Sequence, residues 1–390
     1  MHKIWSIILS FYIGLVLINA LILPPINFIS IDNVIFPFAF IGTFFLFGKK
    51  QAFKWSFVIV ILSVCSSLMS NYLADGVSIQ ELLWGIRILK TFTVGWSVFY
   101  LLSHHFELFN KLLFYCFIGF VSINALQLLE WNFILELYAP NQQMVDALNN
   151  SYLDGRIFGV TTNPNSNGLI LALFGFYYFI SNEKNKYILV AIAGLLVLMT
   201  QSRTAFIAFA IAMMALLLFK FLKKGKKYVF IFLTTSAITL LLIVNLKLNN
   251  LSSLFDGSAF QSHSLLNRFD VISQVLKVNE SSFVFGQGKV NNMRELVGGS
   301  IDNEYAFVFL EYGLVGILIL LITITFLIIL ASKKNFNKQA IGLLLIMFVC
   351  GLTNLSFSSL EVSALFILLF VAATFVKSGN QLREQNSTIE

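Results

Sequence analysis

Long apolar runs alternate with short polar breaks along nearly the whole chain. Runs of about 17–25 apolar residues are what a helix needs to cross some 30 Å of hydrocarbon. Twelve spans are predicted, near 4–23, 31–48, 55–74, 81–102, 112–130, 166–181, 187–201, 203–222, 228–246, 305–331, 339–359 and 361–377. The sixth and seventh are short. The expected fold is all-α, one polytopic integral membrane domain over residues 1–390 with about 12 transmembrane helices.

Two polar segments, about 131–165 and 247–304, are too long to be simple connections. Loops of that length in a compact protein are usually functional. Within the second, residues 265–276 read as an amphipathic helix, with Leu265, Phe269, Ile272 and Leu276 on one face at about 100° per residue. Asp270, Gln274 and Lys277 face away, and Arg268 falls on the flank between Ile272 and Val275. Two readings fit Arg268. Its stem lies on lipid with the guanidinium in water, or it points into a cavity between this helix and the bundle.

Composition fixes the class. The chain is 58% hydrophobic and 12% charged, whereas soluble domains run near 25% charged. A net charge of +7 would suit nucleic acid, but the basic residues are placed for topology. They cluster at Lys49, Lys50 and Lys54, at Lys184 and Lys186, from Lys220 to Lys227, at Lys333, Lys334 and Lys338, and at Lys377 and Arg383. Alternate loops carry these groups, which assigns those loops and both termini to the cytoplasm. The two long segments then fall on the outer face. Lys3 precedes an apolar stretch that reads as an uncleaved first helix rather than a signal peptide. The three cysteines lie within apolar spans and give neither a disulfide framework nor a metal spacing.

Candidate chemistry gathers on the outer side. Arg203 sits in the polar break Thr200-Gln201-Ser202-Arg203-Thr204 between two apolar runs. An arginine near bilayer depth costs roughly 2.5–3.5 kcal/mol on insertion scales and marks a functional site by default. The neighbouring polar residues offer it no carboxylate. The sixth span opens with Thr162-Asn163-Pro164-Asn165-Ser166-Asn167-Gly168, rich in capping residues. Helix N-termini combined with arginines make anion sites, although every even-numbered span points its N-terminus outward, so polarity alone identifies nothing.

Arg87 and Lys90 lie three residues apart on one face of the fourth span. With Arg156, Arg203 and Arg268 they supply up to five cations on one side. Guanidinium groups hold phosphate oxygens bidentately, which suits a pyrophosphate. For Arg87 and Lys90 the competing reading is a structural ion pair, with Glu81 or another helix. Asp302 is the candidate base for a sugar hydroxyl; an ordinary N-cap aspartate is the alternative. Glu304 and Glu311 are weaker candidates, one completing a cap and the other pairing with a cation. Gly286-Gln287-Gly288-Lys289 lacks the features of a dinucleotide loop or a P-loop and reads as a turn. His263 is alone on the outer side, and nothing implies a metal or an organic cofactor.

Ser202-Arg203-Thr204 at the start of a helix, a long outer segment with Arg268, and Asn303 followed by nine residues and Gly313-Leu314-Val315-Gly316 form an ordered set. Together with Arg156-Ile157-Phe158-Gly159 leading to Asn163-Pro164-Asn165, this set resembles the O-antigen polymerase/ligase superfamily over roughly residues 80–320. The resemblance implies a metal-independent, GT-C-like glycosyltransferase of the bacterial inner membrane, acting on undecaprenyl-pyrophosphate-linked oligosaccharide at the outer leaflet. It implies that Arg203 and Arg268 bind and neutralise the leaving pyrophosphate; Asp302, the candidate base read from its position before the tenth span, is the third catalytic candidate. Arg87, Lys90, Arg156, Asn163, Asn165, Ser202 and Asn303 are the substrate-binding candidates. In the ligase branch a histidine precedes the Asn; here that position is Asp302, which favours a repeat-unit polymerase for capsule, exopolysaccharide or O-antigen. A ligase using the same lipid donor, and a lipid-oligosaccharide flippase or secondary transporter, are the alternatives. Family logic adds a flippase and a chain-length regulator as partners, and no nucleic acid.

Overall fold

The computed structural model describes residues 2–23, 31–74, 79–129, 134, 137, 138, 145, 156–161, 163–181, 183–224, 263–278, 282–288, 301, 303–332, 338–352 and 360–387. Among the described residues the regular structure is helical, with twelve α-helices and no strand. These are α1 (His2–Leu21), α2 (Ile31–Phe47), α3 (Gln51–Ala74), α4 (Ile79–His104), α5 (Phe106–Leu129), α6 (Pro164–Ile180), α7 (Lys186–Met199), α8 (Arg203–Lys224), α9 (His263–Val278), α10 (Glu304–Ser332), α11 (Ile341–Gly351) and α12 (Leu360–Ser387).

Each predicted span except the ninth overlaps one of these helices; the ninth, 228–246, and residues 353–359 of the eleventh lie outside the described residues. Among the described residues, four stretches are long and apolar enough to cross a membrane: Ile4–Leu21, Gln51–Leu73, Phe106–Leu129 and Glu304–Ser332. The predicted amphipathic helix is α9.

The chain divides into two compact units. The first comprises residues 1–117, 267–338 and 351–390. Its hub is α4, which packs on α1, α2, α3 and α12, while α3 also packs on α10. Rings of Phe47, Phe53, Phe92 and Trp96 meet at centroid distances of 5.0–5.1 Å, and the Trp96 indole donates to Ser56 Oγ at 3.1 Å. An ion pair joins α4 to the start of α2: Lys90 pairs with Asp32, and its ammonium donates to Asn33 Oδ1 at 2.8 Å. Asn19 Nδ2 supplies a further donor to Asp32 at 3.3 Å. Burial of both charges is tolerable only because each is paired and hydrogen-bonded.

Within the same unit α10 is broken. Gly313 takes φ 60° and ψ −154° inside a helix of 29 residues. Non-helical backbone at membrane depth is tolerated only where it is buried against other protein. The segment 282–288 supplies the partners. Gln287 N–H donates to the Leu310 carbonyl at 2.8 Å and Gly288 N–H to that of Glu311 at 3.1 Å. In return, Leu314 N–H donates to the Phe283 carbonyl at 2.9 Å and Val315 N–H to Val284 at 3.1 Å. Ser70 Oγ donates to the Glu311 carbonyl as well.

The second unit comprises residues 118–266 and 339–350. Here α6 is the core helix, buried over nearly all its length and packed on α7 and α8. Small residues let the neighbours close in. A Cβ on Gly175 would lie 3.0 Å from the Phe209 ring and 3.1 Å from Ala193 Cβ.

Candidate functional site

The Arg203 break lies in the second unit. Met199 ends α7 and Arg203 begins α8, so Thr200, Gln201 and Ser202 alone reverse the chain. Gln201 adopts φ 49°, a conformation that costs a non-glycine residue roughly 1–3 kcal/mol and persists only where its surroundings impose it. Thr200 Oγ1 donates to the Val197 carbonyl at 2.7 Å and accepts from Ser202 N–H at 3.2 Å. Ser202 Oγ accepts from Ala205 N–H at 3.4 Å, the bond of an N-cap serine to the third helical residue. All three turn residues are buried, and Arg203 is half-buried as the first residue of α8. The positive end of the α8 dipole adds to its charge.

Beside this turn runs the stretch 156–161. Arg156 Nε donates to the Thr200 carbonyl at 3.1 Å and Arg156 Nη2 to Asn165 Oδ1 at 3.0 Å. Ile157 N–H donates to the Met199 carbonyl at 3.2 Å. Asn163 caps α6: its side chain accepts from Asn165 N–H at 2.8 Å and Ser166 N–H at 3.4 Å, with Pro164 at the first helical position. Arg156, Asn165 and Ser202 are thus brought together around one turn, and Asn163 is the exposed cap beside them.

The sequence reading missed what holds 156–161 in place. Gln127 Oε1 accepts from Phe158 N–H at 3.1 Å and Gly159 N–H at 2.8 Å. Gly159 has φ 54°, and a Cβ there would lie 2.5 Å from Asn167 Oδ1. Asn167 Nδ2 in turn donates to Asn124 Oδ1 at 2.6 Å. The signal was available: Asn124 and Gln127 are amides inside an apolar span, and polar residues there are expected to have partners or functions. Tyr138 is buried, and burial pushes its hydroxyl up to about 12.

In the first unit, Asn303 caps α10. Its Oδ1 accepts from Ala306 N–H at 2.9 Å and its Nδ2 donates to the Leu352 carbonyl at 2.9 Å. Glu304 follows, fully buried, and Glu311 is buried deeper in the helix. Asp302 lies outside the described residues. Of the two readings for Lys90, the ion pair with another helix accounts for it, through Asp32. Arg87 by contrast is exposed and lines a cavity.

α9 packs on the start of α10, with Ile272 of the expected face half-buried against that contact. Val271 and Val275 are the buried residues, resting with Ile301 against Ala306 and Leu310, whereas Leu276 is 58% exposed.

The cavity of the first unit has a volume of about 870 Å³ and runs between α3, α4, α10 and α12. Along α10 its wall extends from Glu304 to Leu330, about 39 Å at 1.5 Å per residue. Its charged lining residues are Arg87 and Glu304 towards the start of α10 and Lys50 towards the other end. Hydroxyls of Ser56, Ser63, Thr91, Thr323 and Thr374 on its wall donate to carbonyls of their own helices at 2.7–3.2 Å. The wall is thereby apolar along its length.

These features define a multi-pass membrane protein with a cationic break between apolar helices. Residues 188–321 match the sequence model of the O-antigen ligase family. That likeness covers 134 of the 390 residues and supports the O-antigen polymerase/ligase superfamily, a family of glycosyl transfer from lipid-linked oligosaccharide in a membrane. The matched stretch includes Arg203, Arg268, Asp302 and Asn303. A comparison with curated proteins gives no match.

Proposed function

We propose that this protein is a polysaccharide repeat-unit polymerase of the bacterial inner membrane, GT-C-like and independent of metal. It takes undecaprenyl-pyrophosphate-linked oligosaccharide at the outer leaflet, with both termini in the cytoplasm. The bond between the donor's anomeric carbon and its phosphate oxygen breaks as a new bond forms to an acceptor hydroxyl oxygen. The hydroxyl proton passes to Asp302, and the lipid pyrophosphate departs carrying the released charge.

The observation that carries this reading is the Arg203 turn. A buried, strained three-residue reversal presents an arginine at a helix N-terminus, with Arg156 and Asn165 fixed beside it. Preorganised cations facing a leaving group are usually the largest catalytic term. Arg203 holds the pyrophosphate, a role the family pattern gives to Arg268 too. Taken by itself, the first unit holds an apolar cavity with Arg87 on its wall, a chemistry compatible with an isoprenoid lipid. Asp302 in place of the ligase histidine favours polymerisation over transfer to a different acceptor.

The test is turnover in vitro. Purified protein with one lipid-pyrophosphate repeat unit and EDTA is expected to yield ladders of longer glycans. A deletion strain is expected to accumulate single repeats; accumulation of full-length lipid-linked chains instead would identify a ligase. Unchanged polymer in that strain, with substrate retained in the inner leaflet, would identify a flippase.

A further inference from the structure

Gly286-Gln287-Gly288 has no part in the chemistry proposed above, yet it is where two elements are joined. Gly286 and Gly288 take φ of 76° and 69°, left-handed conformations that favour glycine, and both are buried. A Cβ on Gly286 would lie 2.6 Å from the Glu311 carbonyl and the Gly313 nitrogen. A Cβ on Gly313 would lie 2.5 Å from the Gly286 nitrogen. The two backbones approach more closely than a side chain at either place permits.

Between the glycines, Gln287 bonds in two directions. Its backbone N–H donates to the Leu310 carbonyl in the broken turn of α10. Its side-chain amide donates to the Val278 carbonyl at 2.8 Å and to Ser282 Oγ at 2.6 Å. Val278 is the last residue of α9, and its carbonyl is one of those a helix end leaves without an internal partner. One residue therefore caps α9 and docks it on α10. With Val271 and Val275 resting on Ala306 and Leu310, α9 is held along one stripe and at its end.

We propose that Gly286-Gln287-Gly288 is a latch that sets α9 on α10, and that Gln287 is thereby a positioning residue for Arg268. The second half of this statement rests on the reading of Arg268 as a pyrophosphate-binding residue. Bidentate recognition is sensitive to placement, and a shift of about 1 Å can cost on the order of 10²-fold in rate. The latch supplies that placement from a segment that contributes no charge of its own.

The experiment uses the full chain in nanodiscs and two variants. Gln287→Leu removes the amide donor at similar size, and Gln287→Lys restores an N–H donor within reach of the Val278 carbonyl. Amide hydrogen exchange is followed over residues 263–278, and turnover is measured with the lipid-pyrophosphate repeat unit. Gln287→Leu is expected to speed exchange in α9 at least tenfold and to lower turnover more than tenfold, and Gln287→Lys to recover most of both. In an Arg268→Lys background, Gln287→Leu is expected to add little further loss of turnover. Protection of α9 in Gln287→Leu equal to wild type overturns the latch. A full, multiplicative loss in the Arg268→Lys background overturns the positioning role. If wild-type protein fails to turn over the repeat unit, the polymerase reading falls, and the exchange data still decide the latch. Should Gln287→Leu not insert, Ser282→Ala is measured by the same exchange, where a smaller rise over α9 is expected and none overturns the proposal.

Discussion

Arg156 reaches the Thr200 carbonyl through Nε at 3.1 Å, so one arginine fixes the turn from which another, Arg203, emerges. The same guanidinium holds Asn165 Oδ1 at 3.0 Å, tying the start of α6 to the end of α7. Hydrogen bonds from charged donors contribute about 1.5–3 kcal/mol each. Arg156→Ala is expected to lower the thermal midpoint in detergent and to reduce polymer yield. Arg156→Lys, a point charge without the planar fork, should recover little of either. Full activity in the lysine variant would show that the two-pronged grip is dispensable.

Arg203→Ala is expected to abolish polymer while the protein inserts at normal abundance. Arg203→Lys should retain charge but lose bidentate contact, with turnover reduced at least tenfold. The paired measurement is glycan length on gels against the amount of protein in the membrane fraction.

Lys90 and Asp32 form a buried pair, and removing one partner of such a pair typically costs about 3–5 kcal/mol. Lys90→Met and Asp32→Leu should each destabilise the protein strongly. The double variant should be much closer to wild type, since apolar replacement of both charges is often near neutral. Thermal unfolding of all four proteins closes the cycle; additive losses would argue against a pair.

Gly159→Ala places a Cβ 2.5 Å from Asn167 Oδ1 at a φ of 54°. The expected result is displacement of the 156–161 stretch, lower stability and loss of polymer. Gly14→Ala is the control, because its Cβ would meet only Leu112 carbons at 3.9 Å, and it should behave as wild type.

The base is tested at the head of α10. Asp302→Asn should stop polymer formation without changing donor retention, whereas Glu304→Gln should act mainly on stability, because Glu304 is fully buried at the helix start. Unchanged chain length and yield in Asp302→Asn would remove Asp302 from the mechanism, and Glu304 would inherit the test.

Much was legible in the linear pattern because hydrocarbon thickness sets helix length and caps announce helix starts. The spans from α1 to α8, a capping-rich start to α6 and the amphipathic α9 follow from apolar periodicity and from residue types that satisfy free N–H groups. Arg203 stood out because a cation between apolar runs is costly. The Lys90 pair was foreseen only as one of two options, since its partner Asp32 lies 58 positions away and no local spacing selects it.

By itself, then, the sequence determined the helical character of the described residues and the approximate placing of their helices, both of which depend on neighbours within a turn or a span. The tertiary structure alone decided the rest. Val271 and Val275 became the buried centre of the α9 contact, with Ile272 half-buried beside them and Leu276 exposed, and Gly313 broke α10 to accept Gly286-Gln287-Gly288. Gln127 took up the backbone of Phe158 and Gly159. Each of these pairs groups that are distant in sequence, and a hydrogen bond or a close backbone approach is fixed only when both sides are in place.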